Sequence, residues 1–309
     1  MRKSRLTVLA AMMIAACSWG GISFAQDKVE LRLRLEKGQI FEQGVIAELK
    51  TSETIFKRSR IDSTFTTRFS FQTEVIDVEP DGTLKLKSTY KTISFNATSN
   101  IPGSLANIDD TAPHTLPTTL KGQSFIYTVT NRGLIENIEG IENVVQRIIP
   151  SSFIFEQKPD LIAANLKSYV EMLSRQNMRF ITLPFLPVNT SDTWTSNSTS
   201  NQLVSRRNGI ATMSARSSPV TYAWPLPLDF PGGTNNITVN LSGFDNTIMR
   251  VDETTGWANQ YEIHQRFSGK KTLRLINEMI PDAERQTQIV SWPLYIKNTI
   301  RAWTITPPR

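Results

Sequence analysis

Apolar and polar residues alternate along much of the chain after residue 28. Between Val29 and Glu36 every second residue is apolar, which is the period of a β-strand with one buried face. Further strands are predicted over 40–50 and 65–78, and a change of phase near Asp77 predicts a bulge or a strand end there. The pattern therefore favours a mainly β protein.

Short turn sequences separate these alternating runs. Residues 80–82, 131–133 and 252–256 have the composition of tight turns between antiparallel strands. The polar stretch 96–124 contains three prolines and predicts a long loop. A further strand is predicted to start after Gly269. Antiparallel hairpins should therefore dominate the fold.

A helical period appears only in the middle of the chain. The first apolar stripe, which Pro150 ends, consists of Ile141, Val144, Val145, Ile148 and Ile149. The second stripe, which follows Pro159, consists of Ile162, Leu166, Tyr169, Val170 and Leu173. Both stripes are expected to pack against a sheet. The predicted fold class is mainly β (α+β), with antiparallel sheets or hairpins in two β regions and a central pair of helices.

A polar tract over 189–201 divides the predicted elements into two regions. Ser, Thr and Asn hold eleven of its thirteen positions, which is typical of a linker or of a polar sheet edge. We predict an N-terminal β region over 26–187, which ends in the helical pair, and a C-terminal β region over 188–309. Both regions share hairpins with tight Gly turns, so a diverged duplication is a hypothesis, although no residue-level repeat is visible.

The first twenty-five residues predict export. Lys3 and Arg5 precede an apolar run over 6–16, and Ala25 ends a small-x-small site, so 1–25 has the features of a secretory signal peptide. A second interpretation stays open, in which 1–16 is a lipoprotein signal and Cys17 becomes the lipidated first residue. We therefore expect a periplasmic or cell-envelope protein, whose only contact with a membrane is a lipid anchor in the second interpretation.

The charge of the chain gives no indication of nucleic-acid binding. The formal net charge is +6, and the Lys and Arg residues are spread along the sequence. The densest cluster, over 57–60, has no interleaved aromatic residues. Cys17 is the only cysteine, so the chain from Gln26 onward has no disulfide, thiolate metal site or cysteine nucleophile.

Motifs for metal or cofactor chemistry are absent from the sequence. His114 and His264 are the only histidines, and both are expected on the surface. No His-Glu-x-x-His helix, Gly-x-Ser-x-Gly elbow or phosphate-binding glycine loop occurs. We therefore predict no metal site, no cofactor and no catalytic residue.

Carboxylates are the one group that leaves room for acid–base chemistry. A glycosidase-type hydrolase holds two carboxyl groups about 5 to 10 Å apart. The candidates are Asp109, Asp110, Asp229 and Asp245. Candidate aromatic residues for stacking on a sugar are Trp194, Trp224, Trp257, Trp292 and Trp303. Solvated turn carboxylates and core or edge tryptophans explain the same residues without catalysis.

Several segments resemble an uncharacterised family of exported bacterial β proteins, a domain of unknown function found in envelope-associated chains. The segments are Leu35-Glu-Lys-Gly38, Val78-Glu-Pro-Asp-Gly-Thr-Leu84, Leu120-Lys-Gly-Gln-Ser-Phe125, Asn131-Arg-Gly-Leu-Ile-Glu-Asn-Ile-Glu-Gly140 and Pro187-Val-Asn-Thr-Ser-Asp-Thr-Trp194. The last is similar to the family's Pro-Val-x-x-Gly-Asp-x-Trp stretch, with Ser191 in place of the glycine. The resemblance implies no catalytic residues.

Three functions are consistent with this sequence. We predict an exported, non-catalytic, envelope-associated binding or interaction module, with an envelope component as its partner. The first alternative is a carrier of a lipophilic ligand, since the predicted architecture is also similar to the curved sheets of periplasmic lipoprotein carriers, whose helices plug an apolar concavity. The further alternative is a carboxylate-dependent hydrolase.

Overall fold

A computed structural model describes most of the chain from residue 28 onward. The described residues are 28–55, 59–100, 120–148, 167, 182–196, 198–217, 219–230, 233–276 and 287–306. Both interpretations of the export signal, with Cys17 and Ala25, lie outside these residues. Asp109, Asp110 and His114 also lie outside them.

Within these described residues twelve strands form one antiparallel sheet, which confirms the mainly β class. The strands are β1 (Ile40–Ile55), β2 (Ser59–Val78), β3 (Leu84–Ser99), β4 (Ser124–Val129), β5 (Ile135–Glu139), β6 (Thr193–Ser196), β7 (Thr199–Arg207), β8 (Ile210–Ser217), β9 (Val220–Phe230), β10 (Gly233–Asp252), β11 (Ala258–Ile276) and β12 (Thr287–Thr306). Their order is β5-β4-β3-β2-β1-β12-β11-β10-β8-β7-β6, and β9 pairs with β10 beside β8.

The first and last strands meet in the middle of this sheet. β1 pairs with β2 on one side and with β12 on the other, and both pairings are antiparallel. The two β regions predicted from the sequence are thus continuous through the β1–β12 ladder. The strand path ends at β5 and at β6, so the polar tract 189–201 supplies a sheet edge.

Turns lie where the local sequence predicts them. Gly82 (φ 83°) and Gly133 (φ 80°) adopt the left-handed conformation in the β2–β3 and β4–β5 hairpins. The register of β2 against β3 shifts between Val75 and Asp77, which confirms the predicted bulge. Short-range turn chemistry therefore specifies these hairpins.

The prediction of a strand over 29–36 is wrong, because this segment is not part of the sheet, although every second side chain is buried as the pattern predicts. Residues 29–36 are extended and bury every second side chain, but their only β-bridge joins Val29 to Val188. The Leu33 amide donates to the Asn131 carbonyl at 2.7 Å, and the Arg34 amide donates to the Thr255 carbonyl at 2.8 Å. Period-two burial requires an extended chain, and turns satisfy its backbone here in place of a ladder.

The prediction that a new strand starts after Gly269 is also wrong, because β11 runs through that glycine without a break. Gly269 lies opposite Leu241 on β10, and a Cβ atom there would overlap the Asn240 carbonyl. The glycine therefore permits a close approach of two backbones inside the sheet and does not mark a turn.

One helix, α1 (Ile141–Ile148), is present among the described residues. Ile141, Val144 and Val145 are buried in the core, as the first stripe predicts. The central pair of helices is not supported. The second stripe lies outside the described residues, and the apolar cover that the pair was expected to provide comes partly from the extended segment 29–36.

Candidate functional site

The inner face of the sheet carries the buried side chains of the long strands. Along β10 and β11 the odd-numbered residues point inward, and along β12 the even-numbered residues do so. This face divides into two parts of different packing, which we call the proximal core and the distal cluster.

The proximal core is a dry, close-packed set of residues from both β regions. Phe41 and Trp257 are almost fully buried, and their ring centroids are 3.9 Å apart. The segment 29–36 and helix α1 contribute Leu31, Leu33 and Val144 to the same cluster. This end of the inner face is therefore closed by protein side chains.

Segment 29–36, helix α1 and the turn 252–257 close the proximal end. Segment 29–36 bridges to residue 188, and the turn 252–257 packs directly on it. Gly256 (φ 69°) lies so close to segment 29–36 that a Cβ atom would overlap the Arg32 carbonyl. The fit depends both on glycine's left-handed backbone and on its missing side chain.

A row of polar side chains crosses the inner face between the two parts. Asp245 on β10 lies opposite Gln265 on β11, and Gln265 lies opposite Asn298 on β12. Asn298 donates to the Gln265 side-chain oxygen at 2.8 Å, and the Asp245 amide donates to the Ser217 hydroxyl at 2.9 Å. Asp245 is 7% exposed, so this row interrupts the apolar face at depth.

Beyond this row lies the distal cluster on β10, β11 and β12. It consists of Val239, Leu241, Phe267, Leu294 and Ile296. Phe267 and Ile296 are only half-buried, in contrast to the rings of the proximal core. On β2 and β3, which β1 separates from β12, Phe65 and Phe95 stack with centroids 6.3 Å apart and are also half-buried. Phe65 pairs with Leu49, which pairs with Asn298 of the polar row, so these two rings lie outside the distal cluster.

A charged pair borders the distal cluster. Lys271 lies 3.2 Å from a Glu53 carboxylate oxygen, and the Trp292 indole donates to the same carboxylate at 2.7 Å. The Lys271 ammonium also lies 5.6 Å from the centre of the Trp292 ring. Each charge is compensated locally, so the border is polar but carries little net charge.

The sequence pattern contains a signal for these residues that the prediction did not use. Gln265 and Lys271 fall in the inward phase of β11, in line with Tyr261, Ile263 and Phe267. Polar residues in an apolar phase indicate either an internal hydrogen-bond network or a binding surface. Their partners Asn298 and Glu53 become identifiable only once the strand register is known.

The described histidine lies on the surface, as predicted. His264 is on the outer face of β11, and its Nε2 atom is 3.3 Å from Glu262, which also accepts a hydrogen bond from Arg301. In the described part of the chain no group of three or more His, Cys, Asp or Glu residues has the arrangement of a metal site. None of the helical residues described forms a segment long and apolar enough to cross a membrane.

The carboxylates of the hydrolase hypothesis do not come together where the structure describes them. Asp229 lies opposite Thr234 at one end of β10, whereas Asp245 is eleven residues further along that strand. At the rise of a strand this separation is about 36 Å, far more than a glycosidase pair allows.

The predicted tryptophans are dispersed over the molecule. Trp257 belongs to the proximal core, Trp292 borders the distal cluster, and Trp303 lies on the outer face against Gly44. The Trp194 indole donates to the Thr182 carbonyl at 2.7 Å. These four described side chains do not form a common stacking platform.

The fold and the inner face define a mainly β protein with one large antiparallel sheet. Residues 81–258 match a family of unknown function, DUF6263, and the chain belongs to this family. The resemblance to an uncharacterised family is thereby confirmed, while the exported and envelope-associated character stays a prediction. No curated protein matches the chain.

Likenesses to solved structures are weak. A structure of lipid–protein interactions in lipovitellin shares 7% identity and a TM-score of 0.47, with 88% of this chain and 25% of that chain covered. This chain thus spans a quarter of that protein. Pseudomonas aeruginosa OpdQ (4% identity, TM-score 0.17, 86% and 98% covered) and Acinetobacter baumannii OccAB4 (5%, 0.15, 87% and 98%) are still less similar. None of these likenesses identifies a fold or a ligand.

Proposed function

We propose that this protein is an exported, non-catalytic binding module of the cell envelope, and that its distal cluster binds a lipophilic ligand. The observation that carries the proposal is the contrast along one face. Apolar rings are buried in the proximal core, whereas Phe267 and Ile296 of the distal cluster remain half-buried on the same face. A half-buried apolar surface on an otherwise packed face is a suitable contact for an apolar ligand.

Apolar burial supplies most of the binding free energy in this proposal. Each 100 Å² of apolar surface that a ligand covers contributes about 2.5 kcal/mol before the entropic cost of association. A micromolar Kd corresponds to about 8 kcal/mol, so ligand and protein together have to bury well over about 300 Å² of apolar surface. The partners of the Glu53 carboxylate, Lys271 and Trp292, keep the border polar without placing an unpaired charge against the ligand.

The absence of catalysis in this proposal is supported by the pairing of polar groups on the inner face. Gln265 and Asn298 bond to each other, and Glu53 is held by Lys271 and Trp292. Amide side chains do not exchange protons near neutral pH, so Gln265 and Asn298 are unsuited to the role of a general acid or base. The large separation of Asp229 and Asp245 supports the same conclusion.

Two phenylalanines on adjacent strands provide a matched test of ligand binding. Phe267 points inward on β11, whereas Phe244 on β10 points outward beneath Arg216, and both are half-buried. Titration with a fluorescent C16 fatty acid should give a Kd about tenfold higher for Phe267→Gln than for the unaltered chain. Phe244→Gln should change the Kd by less than about twofold.

Two results would contradict this proposal. Equal loss of affinity in both variants would mean that folding, and not a ligand contact, determines the signal. If the unaltered chain showed no measurable binding of the fatty acid, the hypothesis of a lipophilic ligand would be excluded. Export is tested separately by the intact mass of the protein from its host, where the expected first residue is Gln26 or a lipidated Cys17.

A further inference from the structure

A short proline-flanked tip carries the most exposed large apolar side chains of the described chain. Phe185 is 71% exposed and Leu186 is 68% exposed, and they lie between Pro184 and Pro187. We call these four residues the Phe185 tip. Two adjacent large apolar residues in water form a surface that usually has a partner.

Two arginines hold the Phe185 tip in place. The Arg32 guanidinium donates to the carbonyls of Pro184 and Phe185. Arg132 donates through Nε to the Leu183 carbonyl at 2.9 Å, and its guanidinium lies 5.3 Å from the centre of the Phe185 ring. The apolar tip is therefore fixed by its neighbours in an exposed position.

The surroundings of the Phe185 tip are positively charged. The pKa of Arg132 is lowered mainly by burial and to a smaller extent by the nearby positive charge of Arg32. Its guanidinium nevertheless stays cationic at neutral pH. Glu30 compensates part of this charge, since it lies 3.9 Å from Arg32 and 2.8 Å from Arg34. The remaining positive charge is complementary to an anionic partner.

We propose that the Phe185 tip docks on the surface of an anionic lipid bilayer. Phe185 and Leu186 enter the interfacial region, while the positive charge of Arg32 and Arg132 behind them attracts the anionic surface without direct contact by the largely buried Arg32. Apolar side chains beside arginines are the combination that holds peripheral proteins at anionic membranes. The inference is independent of ligand binding at the distal cluster.

The path of the chain places this tip on the side where an N-terminal anchor would act. Val29 pairs with Val188, next to the tip, and Lys28 precedes it. Cys17 is eleven residues before Lys28, and an extended chain of that length reaches about 37 Å. A lipid on Cys17 would hold the Phe185 tip within reach of the bilayer, and the tip would then fix the orientation.

Vesicle sedimentation with the chain from Gln26 onward tests this docking without an anchor, and that chain contains every residue that the structure describes. The vesicles are phosphatidylcholine alone or phosphatidylcholine with about one third phosphatidylglycerol. We expect binding to the anionic vesicles that is at least tenfold stronger than to the neutral ones and that weakens in high salt. Phe185→Ser combined with Leu186→Ser should lower the partition coefficient at least tenfold.

The control is a second pair of exposed apolar residues. Ile289 and Ile305 lie on the outer face of β12, are at least half exposed, and should tolerate the same double change to Ser with less than about twofold effect on binding. Unchanged binding of the tip variant, or equal binding to both vesicle types, would overturn the proposal. Dimerisation lost in the tip variant, without vesicle binding by the unaltered chain, would assign the tip to a second copy instead.

Discussion

The two ends of the inner face are built from the same strands and yet differ in packing. At the proximal end, segment 29–36, helix α1 and the turn 252–257 cover the sheet, and the rings beneath them are buried. At the distal end Phe267 and Ile296 are half-buried. Alternation along a strand therefore defines which face of the sheet is apolar, whereas the segments that cover this face determine how deeply its side chains are buried.

Strand length explains why one end is covered less. β10 and β12 have 20 residues each, which corresponds to about 66 Å, whereas an ordinary strand has about 5 or 6 residues. Segment 29–36 spans only about 26 Å at the same rise. A covering segment of that length reaches only part of these strands.

The largest expected difference is in the free energy of unfolding of alanine variants at Phe41 and at Phe65. Phe41→Ala removes a ring that packs on Trp257, so the free energy of unfolding should fall by about 3 to 5 kcal/mol. Phe65→Ala removes a half-buried ring and should cost less than about 2 kcal/mol. Urea unfolding at constant m-value measures both. Equal costs would show that the inner face around Phe65 is as well packed as the proximal core.

A smaller effect concerns the closure of the proximal end at Gly256. Gly256→Ala should cost about 3 kcal/mol, because alanine is strained at positive φ and its Cβ meets the Arg32 carbonyl. Gly209 has a similar φ of 73° but nothing within 4 Å of a Cβ atom, so Gly209→Ala should cost only about 1 kcal/mol. Urea unfolding measures both costs, and the difference between them is the contribution of the contact with segment 29–36. The two variants would lose the same stability if that segment did not pack on the turn.

The smallest expected effect is a gain in stability at Ser191. Ser191 has φ 75°, a conformation that costs serine about 1 kcal/mol relative to glycine. Ser191→Gly should therefore raise the free energy of unfolding by about 1 kcal/mol and the Tm by about 2 to 4 °C. Ser214→Gly, in the middle of β8, should have the opposite sign. A loss of stability in Ser191→Gly would contradict the strain.

Sequence reasoning predicts the elements whose signal is local. Turn residues identify the hairpins at Gly82 and Gly133, and a change of phase identifies the bulge near Asp77. Strand β12 has no comparable signal. Its outward phase carries Trp303 and Ile305, so apolar residues occur on both faces, and Pro293 interrupts the run.

The candidate site was less accessible to sequence reasoning, because it depends on register. Gln265 and Asn298 are thirty-three residues apart in sequence and become neighbours only through the β11–β12 ladder. Glu53 and Lys271 come from the two ends of the chain. Local periodicity contains no information about which strands lie side by side.

Pairing of β1 with β12 has a consequence for how the chain folds. Glu53 pairs with Leu294 and Gln43 with Thr304, so the central ladder joins strands from opposite ends of the sequence. Contacts of such high sequence separation form slowly, because the loop between them has to be closed first. Until residues 287–306 have been synthesised, β1 has an open edge in the middle of the future sheet. An open edge of this kind can pair with another chain, so the nascent protein is exposed to aggregation until β12 has paired with β1.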